Sequence, residues 1–170
     1  MFEMTNFGVL HYFLGLEIKQ REDGIFASQK NYVKNLLKRF NMKGCKMAAP
    51  PMNANKTQHL DDGIGNVDMK KFLSLVGSLI YLVRIRLDIT FAVIVITRFM
   101  NNPSNHHYAA AKRILRYIVG TLDFGILYTY VSDVKLKCFT DGVCAGLIGD
   151  RRSMYGSVFI LGSGALAWHS

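Results

Sequence analysis

The sequence predicts an α+β protein: a β-hairpin leads into a run of helices, and short antiparallel strands follow. Three observations carry this. Val9 to Ala27 is rich in aromatic and aliphatic residues around Arg21–Gly24, whose Asp-Gly pair signals a turn. Phe72 to Gly120 holds the densest apolar run and the densest arginine cluster, with apolar residues at helical spacing. After Gly120 the apolar segments shorten to strand length and are separated by glycine-rich bends.

In the hairpin, VLHYFLGLEIKQ is the first strand and IFA the return strand. Gly15 falls inside the first strand, which suggests a bulge or a close approach by another backbone; an ordinary hairpin accounts for the residues equally well. Ser28 to Phe40 is an amphipathic helix with Ser28 as its expected cap. Tyr32 or Val33, Leu36, Leu37 and Phe40 make its core stripe. Lys30, Lys34 and Lys38 recur every fourth residue, so three ammonium groups share one face suited to tracking phosphates. Taken alone, such a stripe reads first as a solvated face. Asn41 to Asp68, with Pro50-Pro51, Asp61-Asp62-Gly63 and Gly65-Asn66, reads as a surface linker.

The central block is too interrupted to cross a membrane. A spanning helix needs about 20 consecutive apolar residues, and Arg84, Arg86 and Asp88 break the run. Phe72, Val76, Leu79 and Val83 share one helical face, while Ser74, Gly77 and Ser78 offer a small-residue face to a neighbouring helix. Two buried helices follow one another, with the charges at their turn and Asp88 placed to cap the second. A third helix starts at Pro103-Ser104, with Ser104 as N-cap, and stops at Gly120. Its apolar stripe is Tyr108, Ala111, Leu115 and Ile118; Lys112, Arg113 and Arg116 lie on an adjacent face that suits anions.

The formal net charge is +9 over 170 residues, spread through helices and not gathered in a tail. That favours an extended polyanion over a single acidic pocket, beside the plainer reading of a basic soluble surface. Three cysteines, Cys45, Cys138 and Cys144, form no C-x-x-C pair, which points to a reducing compartment and away from a zinc site. No signal peptide is visible, so an intracellular location, cytoplasmic or nuclear, is expected. His106 and His107 are adjacent and so do not share a helix face, His11 and His59 lack partners at ligand spacing, and Ser74 and Ser78 have no Gly-x-Ser-x-Gly frame. After Gly120, Phe124–Val131 and Lys135–Asp141 read as strands, and Gly156–Gly162 and Ala165–Ser170 as a hairpin across Ser163-Gly164. The last three strands have no helix to cover them, so exposed apolar surface and a truncated appearance are expected.

The segments MTNFGVLHYFLGLEI (Met4–Ile18), SQKNYVKNLLKRFNM (Ser28–Met42), SLVGSLIYLVRIRLDITFAV (Ser74–Val93), TRFMNNPSNHHYAAAKRILRYIVGT (Thr97–Thr121) and FTDGVCAG with DRRS (Phe139–Ser153) carry a resemblance through their order and spacing. Together they resemble the Pol polyprotein of Ty1/copia-type retrotransposons, across the end of the reverse transcriptase and the start of the ribonuclease H domain. The resemblance implies four parts: the end of the polymerase palm with a thumb-like helix (1–47), a linker (48–68), a helical connection (69–130) and an incomplete ribonuclease H-like antiparallel sheet (131–170). It implies that Phe13–Glu17 belongs to the hairpin that grips the primer end, with Gly15 where a nucleic-acid backbone comes near. It places Lys30, Lys34 and Lys38 on the thumb helix and Asp141 at the first nuclease carboxylate. The implied partners are an RNA–DNA hybrid or DNA duplex and the rest of the Pol polyprotein; the implied cofactor is magnesium.

The departures are specific. Reverse transcription needs carboxylates that hold two magnesium ions, and the family's Tyr-x-Asp-Asp motif is absent from these residues. The nuclease also needs a later Glu and Asp, which the chain does not reach, leaving Asp141 a weak metal ligand. Asp133 and Asp150 read as turn or cap residues. The family's Arg-Pro-Asp-Ile stands as Arg86-Leu87-Asp88-Ile89, and Asp-Trp-Ala-Gly as Val143-Cys144-Ala145-Gly146. These departures suggest a catalytically incomplete product of a decayed element that retains at most duplex binding. The alternative is a non-enzymatic basic interaction module or a product without function.

Overall fold

A computed structural model describes residues 9–52, 67–143 and 154–169. It is α+β, with four helices and two antiparallel sheets among those residues. The first sheet begins with β1 (Tyr12–Phe13) and β2 (Leu16–Arg21), joined by the two-residue turn Leu14-Gly15. Both turn residues have positive φ, +47° and +81°, the geometry that matches the twist of a two-residue hairpin. The single first strand expected here is therefore two, and Gly15 sits in their turn. β3 (Gly24–Ser28) returns antiparallel to β2. β4 (Gly125–Thr129) arrives from beyond the helices and pairs antiparallel with β3.

The helices are α1 (Lys30–Arg39), α2 (Met69–Leu82), α3 (Thr90–Thr97) and α4 (Asn105–Gly120), with a 3₁₀ turn at Leu87–Ile89. Their apolar stripes converge on one core that joins Val33, Leu36 and Leu37 of α1 to Phe72 and Leu79 of α2, Ile96 of α3 and Leu115 of α4. Burying one such side chain contributes about 1.5–3 kcal/mol, more than the roughly 1 kcal/mol of a cap. Stripe spacing, not capping, therefore positions α1. Ser28 does not cap it: Ser28 ends β3, and Gln29 stands at the N-cap with no side-chain bond. Instead Glu17 Oε1 accepts the Asn31 N–H at 2.5 Å, so β2 supplies the first-turn acceptor.

Asp68, read as the end of a linker, is the N-cap of α2 and accepts from the N–H groups of Lys70 and Lys71. Ser104 caps α4 as expected, in a capping box closed by His107. The His107 ring is buried and stacks on Phe99 at 3.8 Å between centroids. The small-residue face of α2 does receive α1: Arg39 Nη2 donates to Ser74 Oγ at 2.7 Å, and the Tyr32 hydroxyl donates to the Ser78 carbonyl. Gly77 faces open space and takes no part. The start of the expected linker is not a loose crossing. Met42 and Ala48 are buried, and the Ala48 N–H donates to the Arg116 carbonyl.

β5 (Leu136–Val143), β6 (Met154–Leu161) and β7 (Gly164–His169) form the second sheet. Its last turn is Gly162-Ser163, one residue earlier than expected, because Leu161 pairs with Gly164 and Gly162 takes φ +61°. β7 docks on β4. The Tyr128 hydroxyl donates to the Ala165 carbonyl at 2.6 Å, and the Thr129 N–H donates to Ser163 Oγ at 2.7 Å. Leu136, Phe139 and Leu166 remain exposed, as the uncovered strands foretold.

Asp88 does not cap α3. Its carboxylate pairs with Arg86, which is 3% exposed, through Nε at 2.8 Å and Nη2 at 2.7 Å. Arg86 also donates to the carbonyl and hydroxyl of Thr121, just beyond α4. Burial alone would raise the Asp88 pKa, but the hydrogen bonds and charge of Arg86, helped by Tyr117, lower it below the ordinary carboxylate value. With a folded pKa below the unfolded one, this stabilisation is complete above the unfolded pKa of about 3.9 and is lost as pH falls through the folded value. Asp88→Asn should therefore destabilise the fold at pH 7 by about 3 kcal/mol. Urea unfolding of D88N should also lose less of its midpoint between pH 6 and pH 3 than the parent does.

Candidate nucleic-acid interface

The β1–β2 tip presents Tyr12, Phe13 and Leu14 to solvent. Its underside is filled by α2. The Tyr81 hydroxyl donates to the Leu14 carbonyl, and a Cβ at Gly15 would collide with that hydroxyl. Gly15 is thus the approach point of a protein side chain. Tyr81 also packs its ring on Tyr32 at 4.6 Å, and its carbonyl accepts from Gln29 Nε2. Tip, α1 and α2 are thereby locked together. Gly15→Ala meets both the clash and a positive φ, and should cost about 1–3 kcal/mol in thermal unfolding.

Of the expected lysine stripe on α1, Lys34 and Lys38 are exposed. Lys30 is engaged: its Nζ pairs with Asp123 at 2.5 Å. The Asp123 carboxyl is held below the usual range chiefly by that bond and charge, with Lys19 and Lys34 adding to it. The α4 cations are less accessible than Lys34 and Lys38, and all three are half-buried. Lys112 lies over the Tyr108 ring at 4.6 Å. Arg113 has its Nε buried without a hydrogen-bond partner. Arg116 donates from Nε to the Lys46 carbonyl at 2.8 Å. Two cations outside the expected set, Lys19 and Arg21, stand on β2 beside Phe26, with the Arg21 guanidinium 4.9 Å over that ring. Their alternate spacing in a strand was the available signal.

A family model described as reverse transcriptase (RNA-dependent DNA polymerase) matches residues 1–54. The retrovirus-related Pol polyproteins from transposons RE2 and RE1 of Arabidopsis thaliana are 37% and 36% identical, over 95% and 99% of this chain. An uncharacterized mitochondrial protein of the same plant is 34% identical over 98% of this chain and 69% of its own length. The chain belongs to the Ty1/copia-type retrotransposon Pol family. It spans only 11% and 12% of the two Pol polyproteins. No solved structure matches it.

Within this Pol segment, the reverse transcriptase match covers the hairpin tip, β3 and α1. No helix among the described residues is long and apolar enough to cross a membrane. Asp141 lies on β5 opposite Gly156 and is exposed. Magnesium takes near-octahedral oxygen coordination and is usually held by one or two carboxylates plus substrate phosphates. Among the described residues no three His, Cys, Asp or Glu side chains lie together. Asp133 is paired with Lys135 at 2.6 Å, and Asp150 lies outside the described residues.

The two basic helices should respond differently to charge removal. Lys34→Gln and Lys38→Gln should leave the melting temperature unchanged, as exposed substitutions do. Arg116→Ala should lower stability by about 1–2 kcal/mol by freeing the Lys46 carbonyl, measured by denaturant unfolding.

Proposed function

We propose that this chain is the duplex-gripping segment of a retrotransposon Pol polyprotein, spanning the end of the reverse transcriptase and the first strands of a ribonuclease H domain. It binds an RNA–DNA hybrid or DNA duplex and supplies no complete catalytic centre of its own. Phe13 at the hairpin tip meets the primer end, and Gly15 shapes that tip. Lys30, Lys34 and Lys38 track one strand's phosphates. Lys112, Arg113 and Arg116 add positive field from α4, and Asp141 marks the nuclease beginning. The observation that carries this reading is the locking of an exposed aromatic tip to the lysine helix through Glu17, Tyr81 and Gln29. A grip on a duplex needs its two contacts held at fixed spacing.

A second reading is favoured by the shorter relatives. The chain covers 69% of the uncharacterized mitochondrial protein and 70% of a secreted RxLR effector protein of Plasmopara viticola, which is 37% identical over 58% of this chain. On that reading the same fold serves as a free-standing, non-enzymatic basic module.

Fluorescence anisotropy on a labelled RNA–DNA hybrid, titrated with salt, separates the two. Duplex gripping gives a linear fall of log K with log salt. Lys34→Gln with Lys38→Gln should reduce that slope by about 2, near 0.9 for each lost phosphate contact. Salt-independent or absent binding removes the first reading. Magnesium-dependent hybrid cleavage that Asp141→Asn abolishes would show that the chain is not catalytically incomplete.

A further inference from the structure

The face of the first sheet beside α1 holds a groove that the thumb-like stripe leaves out. Antiparallel register sets Lys19 opposite Phe26 and Arg21 opposite Gly24, so these side chains share one face. Gly125 on β4 has no side chain there. A Cβ at that position would stand 2.7 Å from Phe26 Cζ, so the glycine lets the ring lie across the strand. The guanidinium of Arg21 rests over that ring. Lys30 from α1 and Asp123 from the segment after α4 complete a cavity of about 110 Å³.

Charge among the residues lining the cavity is unbalanced. Lys19, Arg21 and Lys30 stand with one carboxylate there, Asp123, and neither Lys19 nor Arg21 makes an ion pair among the described residues; Glu17, on the same face of β2, is engaged by the Asn31 N–H. The carboxylate is itself largely exposed: the Asp123 side chain is 82% accessible. An exposed ion pair is worth about 0–1 kcal/mol, so a phosphate with several donors competes for Lys30 readily. Arg21 presents a planar fork that the Phe26 ring holds in place, the geometry suited to a phosphate's paired oxygens. Lys34 lies near enough for its charge to act on Asp123, so the positive track continues onto α1.

We infer that this groove is a subsite for the phosphate backbone of a bound polynucleotide, in which Asp123 holds Lys30 until a phosphate displaces it. The inference rests on the duplex-gripping reading and deepens it by adding the sheet face to the helix stripe as a phosphate contact.

The test measures the salt dependence of hybrid binding for single variants, with circular dichroism confirming the fold. Lys19→Gln and Arg21→Gln should each lower the slope by about 1, and Asp123→Asn should raise it by about 1 as Lys30 becomes available. Asp133→Asn and Lys135→Gln change the same net charge away from the groove and should leave the slope alone. Equal behaviour of D123N and D133N overturns the inference. So does a parental slope in both K19Q and R21Q while the hybrid still binds, and in either case the wider gripping reading stands. A parent chain with no salt-dependent binding overturns both.

Discussion

The architecture depends on one buried guanidinium. Arg86 sits at the corner between α2 and α3, removed from water, with its donors divided between Asp88 and Thr121. A buried charge costs several kcal/mol unless its partners are complete, so the corner can close only where the end of α4 is present. That condition links three helices at one point. It also fixes where the chain leaves α4, because Asp123 follows two residues after Thr121 and β4 begins at Gly125. The rings of Tyr117 and Phe124 flank the same guanidinium at 5.9 and 5.3 Å, sealing it from both sides. The pairing of β4 with β3, and the seat of Asp123 beside Lys30, are downstream of this fork.

The local parts of this design were legible in the residues, and the long-range parts were not. Helical periodicity located α2, α3 and α4, because apolar burial dominates their energy and repeats every three to four residues. The hairpin was legible from its Asp-Gly turn. The pairing of β4 with β3 spans about a hundred residues, and nothing in a strand's own composition names its partner. The Leu14-Gly15 turn was hidden because leucine is a poor advertisement for positive φ. Ser28 was misread as a cap because a nearby Glu17 competes for the same amide, a tertiary contact that local rules cannot weigh. Asp88 failed as a cap because its carboxylate is taken by Arg86, two residues before it. Of the three residues kept from the family's Arg-Pro-Asp-Ile pattern, Arg86 and Asp88 form the ion pair, so the signal lay in the pairing of Arg with Asp and not in either alone.

Cations of equal formal charge have diverged in what they can do. Those on α4 lie beside the core, and their long stems are drawn into packing with Tyr108 and the 46–48 segment. Their charge still contributes to the field around the molecule, but their side chains are half-buried and Arg116 spends its Nε donor on the Lys46 carbonyl. Lys34 and Lys38 project exposed from α1 with no such neighbour among the described residues, which leaves their donors to solvent or ligand. Sequence spacing put both groups on helix faces; burial of the surrounding surface distinguishes them. The β2 pair sits between these extremes, since Arg21 is fixed by Phe26 yet keeps the edge of its fork free of ion pairs among the described residues.

The second sheet follows from the first. Its contact with the rest of the fold runs through Tyr128, Thr129 and the Trp168 side chain, which packs on the small cluster of Ala27, Ile85 and Ile126. Gly164 makes this contact possible, because any side chain there would meet the Tyr128 ring. A three-stranded sheet needs a covered apolar face to be stable, and here the coverage is confined to one edge while Leu136 and Phe139 stay in water. Among the described residues the sheet is therefore held by a few hydrogen bonds and one indole, while the helical core carries its own burial. Opening of β5–β7 should precede global unfolding, and the hairpin, α1 and their groove should keep their geometry while it does so.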